Sequence, residues 1–264
     1  MDFKFAYDTY QDVRHNLFLY SIPFLIAAGF FTFFRVLPTP NQQAIVRFFE
    51  LVSNTQPWKG LLGTGVGVVA FAAIAFLLTE IIQIHDQWYD KHIIRWRHQY
   101  ATDFILPRLI LPWSSRTNYR IFEAADANVR QFQERLYYPY VGDRDLKIPK
   151  NKLVRFYEAV TVYWLTQLNE IVLLAVSAII VYYGFRGPAD VYYRTTLFND
   201  LVIVIVAFFV NRAWVRSSLV KVRRATEEEI RAILDDDKLK SDLGCRLQLI
   251  CQDYSIPYAE AQQD

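Results

Sequence analysis

The clearest pattern in this chain is the spacing of its charged residues. No Asp, Glu, Lys or Arg occurs within residues 15–34 or 61–79. Each of these apolar stretches is about as long as the ~20 residues that an α-helix needs to cross a bilayer. Residues 171–185 are also free of charge, and residues 195–211 are interrupted only by Asp200. The pattern therefore predicts four membrane crossings.

The predicted fold class is an all-α polytopic membrane protein with four transmembrane helices in two hairpins. Helices 2 and 3 are expected to extend into a helical cytoplasmic domain. No Gly or Pro lies between Thr79 and Pro107, or between Pro149 and Gly184, so nothing local would break either helix. The predicted order is cytoplasmic N-terminus 1–16, transmembrane helix 1 at 17–37, outer loop 38–60, helix 2 at 61–84, cytoplasmic helical domain 85–165, helix 3 at 166–185, outer turn 186–195, helix 4 at 196–214 and cytoplasmic tail 215–264.

Basic residues are distributed unevenly between the predicted connections. Residues 86–165 contain thirteen Lys and Arg and residues 212–264 contain nine, against two each in 37–60 and 186–195. By the positive-inside rule, both chain ends face the cytoplasm of a multi-pass protein in the cell inner membrane. The first crossing is expected to remain a membrane helix rather than a cleaved signal peptide, because Pro23 interrupts it and no small-x-small site follows.

The tail shows helical periodicity of its own. Thr226 and Glu229 have the spacing of a capping box, which predicts that a separate helix begins there. The acidic residues 235–237 are unfavourable at a helix C-terminus, so we expect this helix to end before its periodicity does. Residues 245–258 are interpreted as a docking segment. Cys245 and Cys251 fit neither a redox pair nor a zinc ligand set, and are expected to be free thiols.

Three acidic residues lie within or beside the predicted crossings. A carboxylate at the centre of a membrane helix costs about 3 kcal/mol, and less near the ends, so Glu80, Glu170 and Asp200 require an explanation. One explanation is snorkelling or pairing with Arg186 or Arg194. The other is a cation path in an oligomer, lined by these acids together with Asn199.

Small residues in predicted helix 2 form a second candidate feature. Gly63, Gly67 and Ala70 recur at the spacing that lets two helix backbones approach closely. This face is expected to pack against another helix, either of the same chain or of a second subunit.

The segment after helix 2 contains residue types that bind metals. His85 and His92 are seven positions apart, about 10.5 Å along a helix, which is too far for both to hold one ion. Asp86 has no histidine four positions away. A metal site would need ligands from elsewhere in the chain, so no metal is expected and His85, Asp86 and His92 remain low-ranking candidates.

No Walker, HExxH, GxSxG or paired CxxC motif occurs, so the protein is predicted not to be an enzyme and to need no cofactor. The first functional hypothesis is a homo-oligomeric membrane protein that forms an ion-conducting or membrane-permeabilising assembly. It would be gated through its cytoplasmic domain. A role as a bacterial defence effector is compatible with this layout. The alternatives are a non-conducting scaffold that anchors a soluble partner, and a metal-dependent membrane enzyme.

The expected partners follow from the same distribution of residues. They are the lipid bilayer and further copies of the chain. The basic and aromatic residues of the inner domain suit a cytoplasmic protein or a small anionic ligand. Interspersed Asp and Glu argue against nucleic acid, which favours a continuous basic surface.

Overall fold

The computed structural model describes residues 10–53, 71–84, 99–113, 118–141 and 147–256, and all regular secondary structure in these ranges is helical. The all-helical prediction is therefore confirmed for this part of the chain. Short π-helical and 3₁₀ turns occur at Thr32–Val36, Ala101–Ile105 and Leu111–Trp113. The helices are α1 (Tyr10–Phe31), α2 (Thr39–Ser53), α3 (Phe71–Ile81), α4 (Leu106–Ile110), α5 (Asn118–Ala127), α6 (Val129–Leu136), α7 (Tyr138–Val141), α8 (Lys150–Arg186), α9 (Val191–Leu234) and α10 (Asp237–Asp253).

Three of the described helices are long and apolar enough to cross a membrane. They are Asp12–Val36, which is most of α1 with the turn that follows it, and helices α8 and α9. An 18-residue stretch in each has a mean hydropathy of 2.0, 1.8 and 1.7, respectively. Of predicted helix 2 (61–84), only residues 71–84 are described, and α3 within them is a shorter apolar helix. The first part of that crossing lies outside the described residues, together with Gly63, Gly67 and Ala70.

The chain divides into two compact units. The first, which we call the span unit, comprises Arg14–His85 and Thr161–Ser218. The second, which we call the head unit, comprises Met1–Val13, Asp86–Val160 and Leu219–Asp264. Helices α8 and α9 each contribute residues to both units, without a break in either helix.

Four helices share one apolar core in the span unit. Leu25 of α1, Ala75 of α3, Val176 of α8 and Val204 of α9 are all buried in it. Helices α1 and α3 pass each other closely at Gly29, where a Cβ atom would lie only 1.9 Å from Cζ of Phe71. The missing side chain of Gly29 is therefore what accommodates the aromatic ring.

Predicted helix 2 does not continue unbroken past its apolar part, and residues 85–98 of its expected extension lie outside the described residues. Helix α3 ends at Ile81, and Gln83 has a left-handed backbone with φ of 49°. The Arg14 guanidinium donates a hydrogen bond of 2.7 Å to the backbone oxygen of Glu80, an acceptor that a continuing helix would use itself. The residue that contacts the helix end is 66 positions away in the sequence. No local Gly or Pro signals the break.

Helix 3 begins where it was predicted, whereas the predicted break after helix 4 is wrong. Helix α8 starts at Lys150, directly after Pro149. Helix α9 continues unbroken through Thr226 and Glu229, so these residues are not a capping box. Residues three positions apart lie on one face of a helix in its middle as well as at its start, so this spacing alone does not identify a helix start. Here both side chains are fully buried in the middle of α9.

The acidic residues 235–237 separate the last two helices. Helix α9 ends at Leu234, directly before them, as its unfavourable C-terminal charge predicted. Asp236 then caps α10, because its carboxylate accepts hydrogen bonds from the backbone N–H groups of Lys238 at 2.9 Å and Leu239 at 3.1 Å.

The expected docking segment, residues 245–258, comprises the second half of α10 and the residues after it, of which those up to 256 are described and pack within the head unit. Asp253 pairs with Arg135 of α6 at 2.5 Å, and the Tyr254 hydroxyl donates to Gln131 at 2.7 Å. The two cysteines are free thiols, as predicted.

Candidate functional site

The acid at the inner end of predicted helix 3 is held by an arginine of the neighbouring helix. Glu170 of α8 is buried, and its carboxylate lies 3.1 Å from the guanidinium of Arg212 on α9. One residue earlier on α9, the Asn211 amide donates to the backbone oxygen of Thr166 at 2.9 Å. These two contacts fix the position of α8 along α9 through polar groups of both helices.

The acid in predicted helix 4 is paired with a residue that the sequence did not suggest. Asp200 has a side chain that is 0% exposed, and it lies 3.0 Å from Arg35, whose side chain is 53% exposed. The partner is therefore neither Arg186 nor Arg194. The second carboxylate oxygen of Asp200 has no hydrogen-bond partner in the described part of the chain. Asn199, the neighbouring candidate, is exposed.

The third acid joins α1 to α3. The carboxylate of Glu80 lies 3.0 Å from Arg14, and both side chains are about three-quarters buried. All three acids proposed from sequence therefore have an arginine partner on another helix. Glu80, Glu170 and Asp200 do not form one cluster through these pairs, because each arginine is different.

The pairs lie towards the two ends of the apolar core. Arg14 and Arg35 are 21 positions apart at the two ends of one nearly continuous helical segment, which corresponds to about 30 Å. This is also about the thickness of the hydrocarbon layer of a bilayer. The apolar residues Leu25, Val176 and Val204 belong to the core between these ends.

Two of the paired residues lie in π-helical turns. Arg35 belongs to Thr32–Val36, where the Leu37 N–H donates to the Thr32 oxygen at 3.0 Å. Glu80 belongs to the last turn of α3, where the Ile82 N–H donates to Leu77 at 2.8 Å. Such turns are rare, occur frequently at functional sites and shift the direction of nearby side chains. They have no simple sequence signature.

A buried polar layer, which the sequence analysis missed, surrounds Glu170. Of residues 161–170 in α8, none is exposed, and several are polar. Gln167 is 0% exposed, and neither polar atom of its amide has a hydrogen-bond partner among the described residues. The Oδ1 atom of Asn169, a residue 7% exposed, also has none there. The signal was available as the sequence TQLNE, directly before the charge-free residues 171–185.

Comparison with known proteins identifies the family. The model of the YmfE protein family matches residues 10–246, which include all three arginine pairs and the polar layer. The chain belongs to the YmfE protein family. No curated protein and no solved structure matches it. The family name states no activity, so the function of this YmfE family member must be argued from its geometry.

The head unit of this YmfE protein contains a buried carboxyl of a different kind. Glu229 on α9 is 0% exposed and accepts a hydrogen bond from the hydroxyl of Tyr137. Burial raises the pKa of Glu229 to about 8, against the smaller opposing effect of that hydrogen bond. Burial also raises the pKa of Tyr137, so its hydroxyl stays protonated as the donor. Glu229 lies 18 residues beyond Asn211, where the apolar stretch ends.

The metal-site candidates of this YmfE protein cannot be placed in the same way. His85, Asp86 and His92 lie outside the described residues. Within the described ranges, no group of three His, Cys, Asp or Glu side chains could hold a metal ion.

Proposed function

We propose that this YmfE family member forms a homo-oligomeric, ion-conducting assembly in the cell inner membrane. In this proposal the chain crosses the membrane four times in two hairpins, with both ends in the cytoplasm. The observation that carries the proposal is the arrangement of three acid–arginine pairs at the two ends of an apolar core.

An apolar core between charged ends is what a closed ion pathway requires. Leu25, Val176, Ile180 and Val204 offer no polar atom that could replace the hydration shell of an ion. The helices on either side of this core are joined by the arginine pairs. Opening would separate the helices, so the pairs would break and their carboxylates would become available to a cation. The three carboxylates would therefore hold the helices together in the closed state and line the ion pathway in the open state.

The length of α8 and α9 supports gating from the head unit. The 37 residues of α8 and the 44 residues of α9 correspond to about 55 and 66 Å, well beyond the ~30 Å of a bilayer core. Both helices are continuous, so a movement of their head-unit ends would be transmitted along their axes. The gating signal would be a cytoplasmic protein or a small anionic ligand.

Ion flux from liposomes that contain the purified protein tests this proposal. Asp200→Asn weakens the Arg35–Asp200 pair, so we expect a higher resting flux than in the wild type. Arg35→Asp combined with Asp200→Arg restores the pair in reverse and should lower the flux again. Asp190→Asn is the matched control, because this exposed acid caps α9 by accepting from the Tyr193 N–H, and asparagine caps equally well.

The outcomes of this experiment are distinct. An Asp200→Asn flux above both the wild type and the Asp190→Asn control supports the proposal. It is overturned if none of these proteins conducts, with or without cytoplasmic extract added to the head-unit side. Equal fluxes from all four proteins would also overturn the role of the Arg35–Asp200 pair.

A non-conducting membrane scaffold is the second candidate. It is favoured by the arginine pairs themselves, because carboxylates that already have counter-ions need no ion path to explain them. The scaffold predicts a stoichiometric soluble partner that co-purifies and is lost on removal of α10. A metal-dependent membrane enzyme is the third, and elemental analysis of the purified protein tests it.

A further inference from the structure

The amide of Gln167 is a buried polar group for which the described chain provides no partner. The residue is 0% exposed, and both its oxygen and its nitrogen lack hydrogen bonds within the described ranges. The Oδ1 atom of Asn169, two positions further on, is in the same state. Three such atoms within one turn are unusual, because nearly all buried polar groups in native proteins have a partner.

The neighbouring polar groups do not meet this need. The amide nitrogen of Asn211 donates to Thr166, and Arg212 pairs with Glu170. Residues 161–170 include no exposed position, so bulk solvent does not reach Gln167 along this helix surface. An amide without a partner is costly in a protein interior, and more so in a unit whose remaining core is apolar.

We propose that the amide of Gln167 is a binding site for internal water in the span unit. It offers one acceptor, Gln167 Oε1, and one donor group, Gln167 Nε2. Asn169 is two positions further on and does not face the same side of the helix, so it is not part of this site. A water molecule can both donate and accept, so it satisfies this combination. The adjacent Glu170–Arg212 pair has no net charge, which favours a neutral ligand over a bare ion. In a second step of the proposal, which rests on the proposed function, this water hydrates an ion at the cytoplasmic end of the ion path.

Water-edited solid-state NMR of the labelled full-length protein in liposomes tests the site directly. Magnetisation should pass from water protons to the side-chain amide of Gln167 at the rate seen for exposed side chains. Leu168 is the matched control, because it is the next residue, is equally buried and has no polar atom. Its methyl groups should receive the signal slowly. A Gln167 amide as slow as Leu168 would overturn the proposal.

A substitution provides a second test with opposite signs. If the amide is dry, Gln167→Met removes an unsatisfied group and raises the Tm. If water satisfies the amide, the same change removes the hydrogen bonds between the amide and the water and lowers the Tm by a few degrees. Leu168→Met controls for the repacking cost of methionine in this helix. A raised Tm would overturn the site.

The flux assay separates this site from the proposed function. NMR contact with a lowered Tm establishes the site even in a protein that does not conduct, and only the second step then fails. In a conducting protein, a Gln167→Met flux at least tenfold below that of Leu168→Met supports the second step. Equal fluxes overturn it.

Discussion

The span unit and the head unit bury carboxyl groups in different ways. Asp200 and Glu229 are both fully buried on the same helix, α9. Asp200 is balanced by the guanidinium of Arg35. Glu229 forms no ion pair with a described residue, and its raised pKa means that it carries a proton at neutral pH. One carboxyl is neutralised by a counter-ion, and the other by a proton.

This difference determines what each site responds to. The counter-ion of Asp200 belongs to another helix, so the Arg35–Asp200 pair joins two helices and is sensitive to their separation. A proton comes from solvent, so Glu229 responds to pH without any movement of a partner. The span unit is therefore suited to a mechanical lock, and the head unit contains a group sensitive to conditions above neutrality.

The largest expected effect comes from removing the counter-ion in the span unit. Arg35→Met leaves the fully buried Asp200 without compensation and should lower the free energy of unfolding by about 3–5 kcal/mol. Asp200→Asn should cost clearly less, because the side chain of Arg35 is 53% exposed and can reach polar surroundings without its partner. Denaturation in detergent micelles measures both values. Equal costs would show that the burial of Asp200 does not determine the energy.

The next effect is the pH dependence of the head unit. Glu229 has a pKa of about 8 in the folded protein and near 4.5 when unfolded. Between these values the unfolded chain has lost a proton that the folded chain retains, so stability falls as pH rises, by up to about 1.4 kcal/mol per pH unit. Above pH 8 this contribution is constant. Hydrogen exchange of the α10 amides, corrected for intrinsic exchange rates, measures this stability as a function of pH. The Glu229→Gln substitution should remove its fall with rising pH.

Glu228 is the matched control for that slope. Hydrogen bonds from Lys152 and Arg155 lower its pKa, the former most strongly, and its side chain is partly exposed. Its contribution has the opposite sign, because it is present above the unfolded pKa and lost as pH falls below it. Glu228→Gln should leave the slope between pH 5 and pH 8 unchanged. A loss of that slope in Glu228→Gln would contradict the assignment to Glu229.

The smallest expected effect is that of the hydrogen bond to Glu229. Tyr137→Phe removes a donor that opposes the rise in the Glu229 pKa, so the transition of Glu229 should move to higher pH. The accompanying loss of stability should be about 1 kcal/mol at neutral pH. The same exchange experiment reports both. A transition that moves to lower pH would show that Tyr137 does not donate to the carboxylate.

The sequence predicted features that depend on long runs of residues. Runs of 15 to 20 positions with at most one charge identify the apolar parts of α1, α8 and α9. The start of α8 after Pro149 follows from the geometry of proline. The acids were also recognisable, because charge in an apolar run is conspicuous. Their partners were not, since Arg35 lies 165 positions from Asp200. Pairing of this kind depends on tertiary structure.

The wrong predictions also concern features that depend on tertiary structure. Thr226 and Glu229 match a capping box in the local sequence, but both side chains are buried in the head unit and both residues lie in the middle of α9. At the end of α3, Glu80 is contacted by Arg14, and no property of residues 77–84 reveals this contact. Gln167 was not singled out because uncharged polar residues in an apolar helix attract less notice than charged ones.

The π-helical turn at Thr32–Val36 has one more consequence. Such a turn holds one additional residue relative to an α-helix, so deleting a single residue from it would leave the turns on either side in register. Deleting a residue from the regular α-helical part of α1 would instead rotate every side chain beyond it by about 100° around the axis. Arg35 would then face away from Asp200 although neither residue had been altered. The spacing of the chain, as much as its chemistry, therefore determines whether Arg35 and Asp200 can pair.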